Sequence, residues 1–101
     1  MSVLGAVTFP MKKVAEICRH YQVRELAVFG SALRSDFNQA SDIDLLVEFQ
    51  PGARIGLLAL GELATELSSV VGRKVDLVPK RGLKPAIREE VLSQAKTLYA
   101  A

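Results

Sequence analysis

The sequence is poor in the residues and runs that mark several classes of protein. Cys18 is the only cysteine, which excludes an intrachain disulfide and a metal cluster built on cysteines. The formal net charge is only +2, too small for the strongly basic face of a general nucleic-acid-binding protein. The chain starts without the basic segment and long apolar run of a signal peptide. The most apolar stretch, 55–71, is interrupted by polar residues, so we expect no membrane span. The lack of an intrachain disulfide fits a reducing cytoplasm, so we expect a cytoplasmic protein.

The composition is that of a globular protein. Half of the 101 residues are hydrophobic and 24% are charged, which predicts a single folded domain over 1–101. A chain of this length buries only a modest core. Association with another chain would therefore not be surprising.

Apolar spacing and breaker residues predict the first helix and the strands. Thr8, a capping-type residue, and Pro10 precede apolar residues at helical spacing, which predicts a helix over about 10–20. Short apolar runs predict three strands, at about 25–29, 43–49 and 74–78.

Two further helices are predicted in the second half of the chain. From Ile55 the apolar period changes to 3.6, and Gly72 is well placed to end that helix. Pro85 lies near the start of a last helix. The apolar face predicted for it consists of Ile87, Val91, Leu92, Ala95 and Leu98.

This order of elements predicts an α/β (α+β) fold, with a small mixed β-sheet flanked by helices. The short connection between the first two strands favours an antiparallel pair. The second and third strands are joined by a full helix, which permits a parallel crossover.

Two aspartates stand in what otherwise reads as a buried strand. Asp is depleted from strands, and burial of an unpaired carboxylate is costly. Asp42 and Asp44 share one face of the strand, and Asp76 repeats the pattern in the next strand. Three converging carboxylates would repel one another, and Mg²⁺, which prefers oxygen ligands, would relieve that repulsion. In the alternative interpretation, Asp42 ends a turn and Asp44 caps or pairs with an arginine.

A glycine and a serine directly follow the first strand. Gly30 allows a ligand to approach the backbone closely or allows a positive φ. If Ser31 opens a short helix, its amide and hydroxyl would bind an anion such as phosphate. The alternative interpretation is an ordinary turn.

The combination of these motifs resembles a known family. Gly30-Ser31, ten intervening residues and then Asp42-x-Asp44 is the pattern of nucleotidyltransferases of the DNA polymerase beta superfamily. The chain looks like a minimal nucleotidyltransferase of the MNT type, and the resemblance runs from about residue 23 to residue 98. It implies that Gly30 and Ser31 hold the nucleotide triphosphate. It also implies that Asp42, Asp44 and Asp76 ligate Mg²⁺, with Asp76 helping to activate the attacking hydroxyl.

One stretch departs from the family pattern. Members often carry a G-S-x-A-R-G run, whereas this sequence reads GSALRSD from Gly30. Arg34 keeps the basic position and is expected to contact the nucleotide phosphates, but Ser35 replaces the glycine. The alternative for Arg34 is a solvent-exposed side chain.

Other polar residues are interpreted more simply. His20 is expected at the surface near the end of the first helix, and Cys18 in the core. Lys80, Arg81 and Lys84 form a basic cluster after the third strand, which is either solvated or in contact with a nucleotide or an acidic partner near the site. The apolar helix from Ile55 is expected to pack on the core, with a partner interface as the alternative.

The resemblance implies Mg²⁺-dependent nucleotidyl transfer from ATP. Stand-alone proteins of this type resemble antitoxins paired with HEPN-domain RNase toxins, and such antitoxins transfer AMP to a tyrosine of the toxin. We therefore expect a HEPN-type toxin as partner. Two alternatives stay open: an antitoxin that acts by binding alone, and a small-molecule nucleotidyltransferase with a separate substrate-binding subunit.

Overall fold

A computed structural model describes residues 2–4, 7–30 and 42–101 of the chain. Within these ranges the chain forms six strands and three α-helices, with a short 3₁₀ turn at Lys80–Gly82. In chain order the elements are β1 (Ser2–Leu4), β2 (Val7–Phe9), α1 (Met11–His20), β3 (Val23–Phe29), β4 (Ile43–Phe49), α2 (Leu57–Val71), β5 (Val75–Pro79), α3 (Pro85–Gln94) and β6 (Lys96–Ala100).

The main sheet is mixed and has four strands, in the order β5-β4-β3-β6. β4 is antiparallel to β3 and parallel to β5, and β6 is antiparallel to β3. β1 and β2 form a separate two-stranded antiparallel sheet. The predicted fold class, the antiparallel first pair and the parallel crossover are therefore confirmed.

The main core lies between one face of the sheet and the helices α1 and α2. The alternation of β4 sends Ile43, Leu45 and Val47 into this core, where they are at most 1% exposed. Its members from the helices are Val14, Cys18, Leu63 and Leu67. Burial of Cys18 raises the pKa of its thiol to about 12, so the thiol stays protonated in the folded protein.

A second and smaller core lies on the opposite face. Ala27, Leu46 and Leu83 are buried there, and three residues of the α3 region pack against them from outside: Val91, Leu92 and Ala95. None of the ten residues of α3 is itself buried. This face is therefore covered more thinly than the α1–α2 face.

The last helix is shorter than predicted. It ends at Gln94, and Leu98 lies in β6 instead of on the predicted apolar face. The continuous apolar spacing through Leu98 led to this error, because that spacing also fits the final turn of a helix. Pairing with the otherwise open edge of β3 decides the conformation of this segment. Ile87, also predicted on the apolar face, is 45% exposed.

The start of the chain also differs from the prediction. Thr8 lies in β2 and not at a helix cap, and Pro10 occupies the N-cap position of α1. β3 begins at Val23, two residues before the predicted start. Gly72 ends α2 in the left-handed conformation, with φ 80°, as its position in the sequence predicts.

The first turn of α2 is unusually apolar at its surface. Leu57 is 89% exposed and Leu58 is 79% exposed, so these two side chains do not contribute to the core. Across the described ranges, no helix has the length and apolar character required to cross a membrane.

The contrast between the core helices and α3 gives a stability prediction. We expect Leu63→Ala to lower the free energy of unfolding by about 2–5 kcal/mol, because it leaves a cavity at a fully buried position. Ile87→Ala should cost less than about 1 kcal/mol, because much of that side chain is already in water. Urea unfolding of both variants would measure the difference, and equal losses would contradict this packing arrangement.

Candidate active site

The register of the parallel strands brings two of the predicted carboxylates together. Asp44 of β4 and Asp76 of β5 are direct cross-strand partners at the start of their strands. Partners in register lie on the same face, with the strands about 4.8 Å apart. Like charges placed opposite each other destabilise a sheet unless a cation compensates them. This edge of the sheet is therefore suited to binding a cation.

The start of β5 is fixed from two sides. The backbone N–H of Val75 donates a hydrogen bond to Ser68 Oγ of α2 at 3.0 Å. The N–H of Ile43 donates to the carbonyl oxygen of Lys74 at 2.9 Å. These bonds tie the end of α2 and the starts of β4 and β5 together, and so hold Asp76 beside Asp44.

Asp42 lies just before β4 and contacts a lysine. Its Oδ2 atom is 3.8 Å from Lys74 Nζ, and both side chains are well exposed, at 42% and 72%. Over residues 2–4, 7–30 and 42–101, no group of three or more His, Cys, Asp or Glu side chains is arranged to hold a metal ion. Asp44 and Asp76 are thus brought together, whereas Asp42 faces Lys74. The three-carboxylate metal site stays a prediction.

Gly30 lies against one of these carboxylates. It directly follows β3 and has φ 74°, a conformation that favours glycine. Phe29 is the cross-strand partner of Asp44, which brings the next residue close to that side chain. A Cβ atom added to Gly30 would collide with Asp44 Oδ2 and lie 3.3 Å from Asp44 Cγ. Gly30 therefore has the positive φ that the sequence analysis allowed for, and the close approach seen in the structure is to Asp44 rather than to a ligand.

Two predicted nucleotide-binding residues, Ser31 and Arg34, lie outside the described residues. Their assignment stays a prediction. The structure does place Gly30, the residue directly before Ser31, close to the Asp44 side chain.

One interpretation of the sequence placed the basic cluster after β5 near the candidate site. The structure instead places Lys80 of this cluster beside two glutamates. Lys80 Nζ is 3.7 Å from Glu25 Oε1 and 3.7 Å from Glu48 Oε1. Because β5 runs parallel to β4, its end lies at the opposite end of the sheet from Asp76. Lys80 is therefore an ion-pair partner within the fold, remote from the carboxylate edge.

Lys74 is the residue at this edge that the sequence analysis did not single out. A basic residue two positions before a candidate ligand in the same strand segment is a weak signal, because most surface lysines are solvated. Its position became informative only with the register, which sets it beside Asp42. His20, in contrast, is exposed at the end of α1 as predicted.

The family profile described as the nucleotidyltransferase domain matches residues 11–98. The chain belongs to the nucleotidyltransferase domain family. It is thus a member of a family of transferases, as the sequence motif predicted.

Several known proteins are similar to this chain along most of their length. The protein adenylyltransferase MntA of Thermococcus cleftensis is 39% identical over 79 residues, which cover 78% of each chain. A crystal structure of a toxin-antitoxin with AMP-PNP contains a chain with a TM-score of 0.73 and 26% identity, covering 92% of this chain and 75% of that one. The structure of a tri-AMPylated HEPN toxin from Shewanella oneidensis in complex with MNT antitoxin matches with a TM-score of 0.64 and 27% identity, over 90% and 70% of the chains.

A pair of glycines tests the role of the contact between Gly30 and Asp44. Gly30 and Gly52 both have positive φ, but a Cβ at Gly52 would meet nothing within 4 Å. We expect alanine at either position to cost about 1–2 kcal/mol of stability through backbone strain. Only Gly30→Ala should also lose nucleotide binding and transfer activity, because its Cβ displaces the Asp44 carboxylate. Thermal unfolding and ATP-analogue titration of both variants would separate the effects, and equal nucleotide affinity in the two would refute the role.

Proposed function

We propose that this chain is a Mg²⁺-dependent protein adenylyltransferase that transfers AMP from ATP to a hydroxyl group, a tyrosine in particular, of a HEPN-type RNase toxin. The observation that carries the proposal is the register pairing of Asp44 with Asp76, next to the Gly30 turn. Membership of the nucleotidyltransferase family supports the reaction type. The similarity to a protein adenylyltransferase supports the protein acceptor.

The carboxylate edge fits a magnesium ion. Mg²⁺ is usually held by one or two carboxylates together with waters and substrate phosphates, and rarely by a complete cage of protein ligands. The adjacent Asp44 and Asp76 meet this requirement. We assign Asp42, two residues before Asp44 and therefore on the same side of the extended chain, as a further ligand. When bound, the ion would neutralise charge on the phosphates and on the leaving pyrophosphate.

The remaining roles belong to the glycine–serine turn and to Asp76. Gly30 lets the backbone approach the triphosphate, and Ser31 and Arg34 bind its phosphate oxygens. The acceptor oxygen attacks the α-phosphorus, a new P–O bond forms, and the bond to pyrophosphate breaks. Asp76 orients the acceptor hydroxyl and receives its proton. Catalysis then depends on positioning and charge compensation.

The acceptor is assigned by similarity. One matched structure is a complex of an MNT antitoxin with a tri-AMPylated HEPN toxin, and another is a toxin-antitoxin with AMP-PNP, an ATP analogue. We assign the same partner class and ATP to this chain. A reaction that consumes ATP and modifies an RNase also fits the cytoplasmic location expected from the sequence.

A second candidate function is neutralisation of the toxin by contact alone. Leu57 and Leu58 support it, because two large apolar side chains exposed side by side are a common feature of protein interfaces. The two functions are compatible, since an enzyme must also bind its protein substrate.

Replacement of single carboxylates tests the chemistry. With α-labelled ATP, Mg²⁺ and a lysate of the source cells, we expect the wild-type protein to label a protein band on tyrosine. Asp44→Asn should lower the transfer rate at least about 100-fold, because it removes a charge that the phosphates and the cation require. Glu48→Gln is the matched control: it changes a carboxylate on the same strand face at the far end of the sheet, and its rate should stay near that of the wild type. Label that appears only in a small molecule would contradict the protein acceptor and favour a small-molecule nucleotidyltransferase.

A double variant, Asp42→Asn with Asp44→Asn, separates catalysis from binding. It is expected to leave the toxin unmodified and cells unprotected when the two proteins are produced together. Full protection without modification of the toxin would assign the biological role to contact alone.

A further inference from the structure

The register of the sheet places a positive charge at the same edge as the candidate metal ligands. Ile43 pairs with Val75 and Asp44 pairs with Asp76, so the register continued by one residue sets Asp42 opposite Lys74. The hydrogen bond from Ile43 N–H to the Lys74 carbonyl oxygen, 2.9 Å long, belongs to the Ile43–Val75 pair and holds the Lys74 backbone next to the start of β4. Lys74 therefore has a fixed backbone position beside the carboxylates.

The two side-chain pairs on this face of the sheet differ in charge. Asp44 and Asp76 form a like-charged pair, whereas Asp42 and Lys74 form an oppositely charged pair with Oδ2 and Nζ 3.8 Å apart. The ammonium contacts an oxygen atom that the proposed function assigns to a metal ion. A cation arriving at Asp42 must displace this contact and also meet the repulsion of the lysine charge.

We propose that Lys74 is a positioning residue that orients Asp42 and competes with the divalent cation for its carboxylate, so that the cation binds weakly until a nucleotide triphosphate arrives with it. This inference depends on the proposed function, because it takes Asp42 as a metal ligand. The negative charge of the triphosphate compensates for the ammonium, which makes metal and nucleotide binding mutually supportive. The interaction between two unit charges about 4 Å apart in water, such as that of Lys74 with Asp42, corresponds to roughly fivefold in affinity. That factor sets the size of the expected effect.

Direct measurement of cation binding tests the competition without using activity. Binding of Mn²⁺ would be followed by the electron paramagnetic resonance of the free ion, at low ionic strength and without nucleotide. We expect Lys74→Gln to bind Mn²⁺ roughly fivefold more tightly than the wild type. Lys74→Arg should bind as the wild type does, because it keeps the charge. Since the pair is exposed, the difference should shrink as salt is added.

A matched variant controls for net charge. Lys13 is an exposed lysine of α1, the helix that covers the other face of the sheet, so Lys13→Gln removes the same charge far from Asp42. It should leave the Mn²⁺ affinity unchanged. In the presence of AMP-PNP, the affinities of the wild type and Lys74→Gln should converge, because the triphosphate now supplies most of the attraction for the cation.

The outcomes distinguish this inference from the function on which it depends. If the wild type binds Mn²⁺ but Lys74→Gln binds it equally or more weakly, Lys74 does not compete and the inference is wrong, while the metal site stands. If Lys13→Gln tightens binding as much as Lys74→Gln, the effect is one of net charge, and the inference is again wrong. If the wild type binds no Mn²⁺ even with AMP-PNP, both the metal site and the inference fail.

Discussion

The parallel pairing of β4 with β5 is the constraint from which the candidate site follows. It sets Asp44 directly beside Asp76, and no other strand pair in the described residues brings two of the predicted ligands together. A parallel pair requires a crossover that returns the chain to the end from which it started. α2 has 15 residues and so spans about 22 Å, close to the roughly 23 Å length of the seven-residue β4. The helix length therefore matches what is needed to start β5 level with β4.

The stability of this arrangement comes mainly from the face of the sheet that carries no site. β4 sends its large apolar side chains under α1 and α2, and Ser68 of α2 accepts the first N–H of β5. The opposite face has only a small core beneath α3, and it carries the carboxylates at one end. The two faces of the sheet therefore have different roles. The face packed under α1 and α2 holds the strand register, and the thinly covered face leaves the aspartates partly exposed to ligands.

Much of this could be predicted from the sequence, and the failures have physical causes. Alternation along β4 is a local property, so the faces of Asp42, Asp44 and Leu45 could be inferred from their spacing alone. Whether Leu98 lies in a helix or in a strand depends on pairing with β3, which is distant in sequence, so local spacing could not decide between the two. The position of Lys80 required the direction of β5, since only the parallel pairing shows which end of that strand lies at the site.

The register of β5 was also beyond local inference. The sequence predicts that Asp76 lies in a strand next to β4, but a shift of two residues would preserve its face and still remove it from Asp44. Such a shift would also separate Lys74 from Asp42. The hydrogen bonds of Val75 and Ile43 at the start of the two strands fix the alignment. Both donors are backbone N–H groups, which carry no sequence signal, and the Ser68 hydroxyl that accepts from Val75 is the one side chain involved.

At each end of the sheet face that α3 covers, two carboxylates are cross-strand partners and repel each other. Glu25 and Glu48 are cross-strand partners at the far end, and Lys80 lies 3.7 Å from both, which compensates their repulsion with a cation built into the chain. Asp44 and Asp76 are likewise cross-strand partners at the near end. Because Lys80 is part of the chain, its ammonium cannot enter and leave the protein together with a substrate. In the proposed function the near end needs a cation that binds carboxylate and phosphate oxygens at once, and a divalent ion from solution meets that need where an internal ammonium does not.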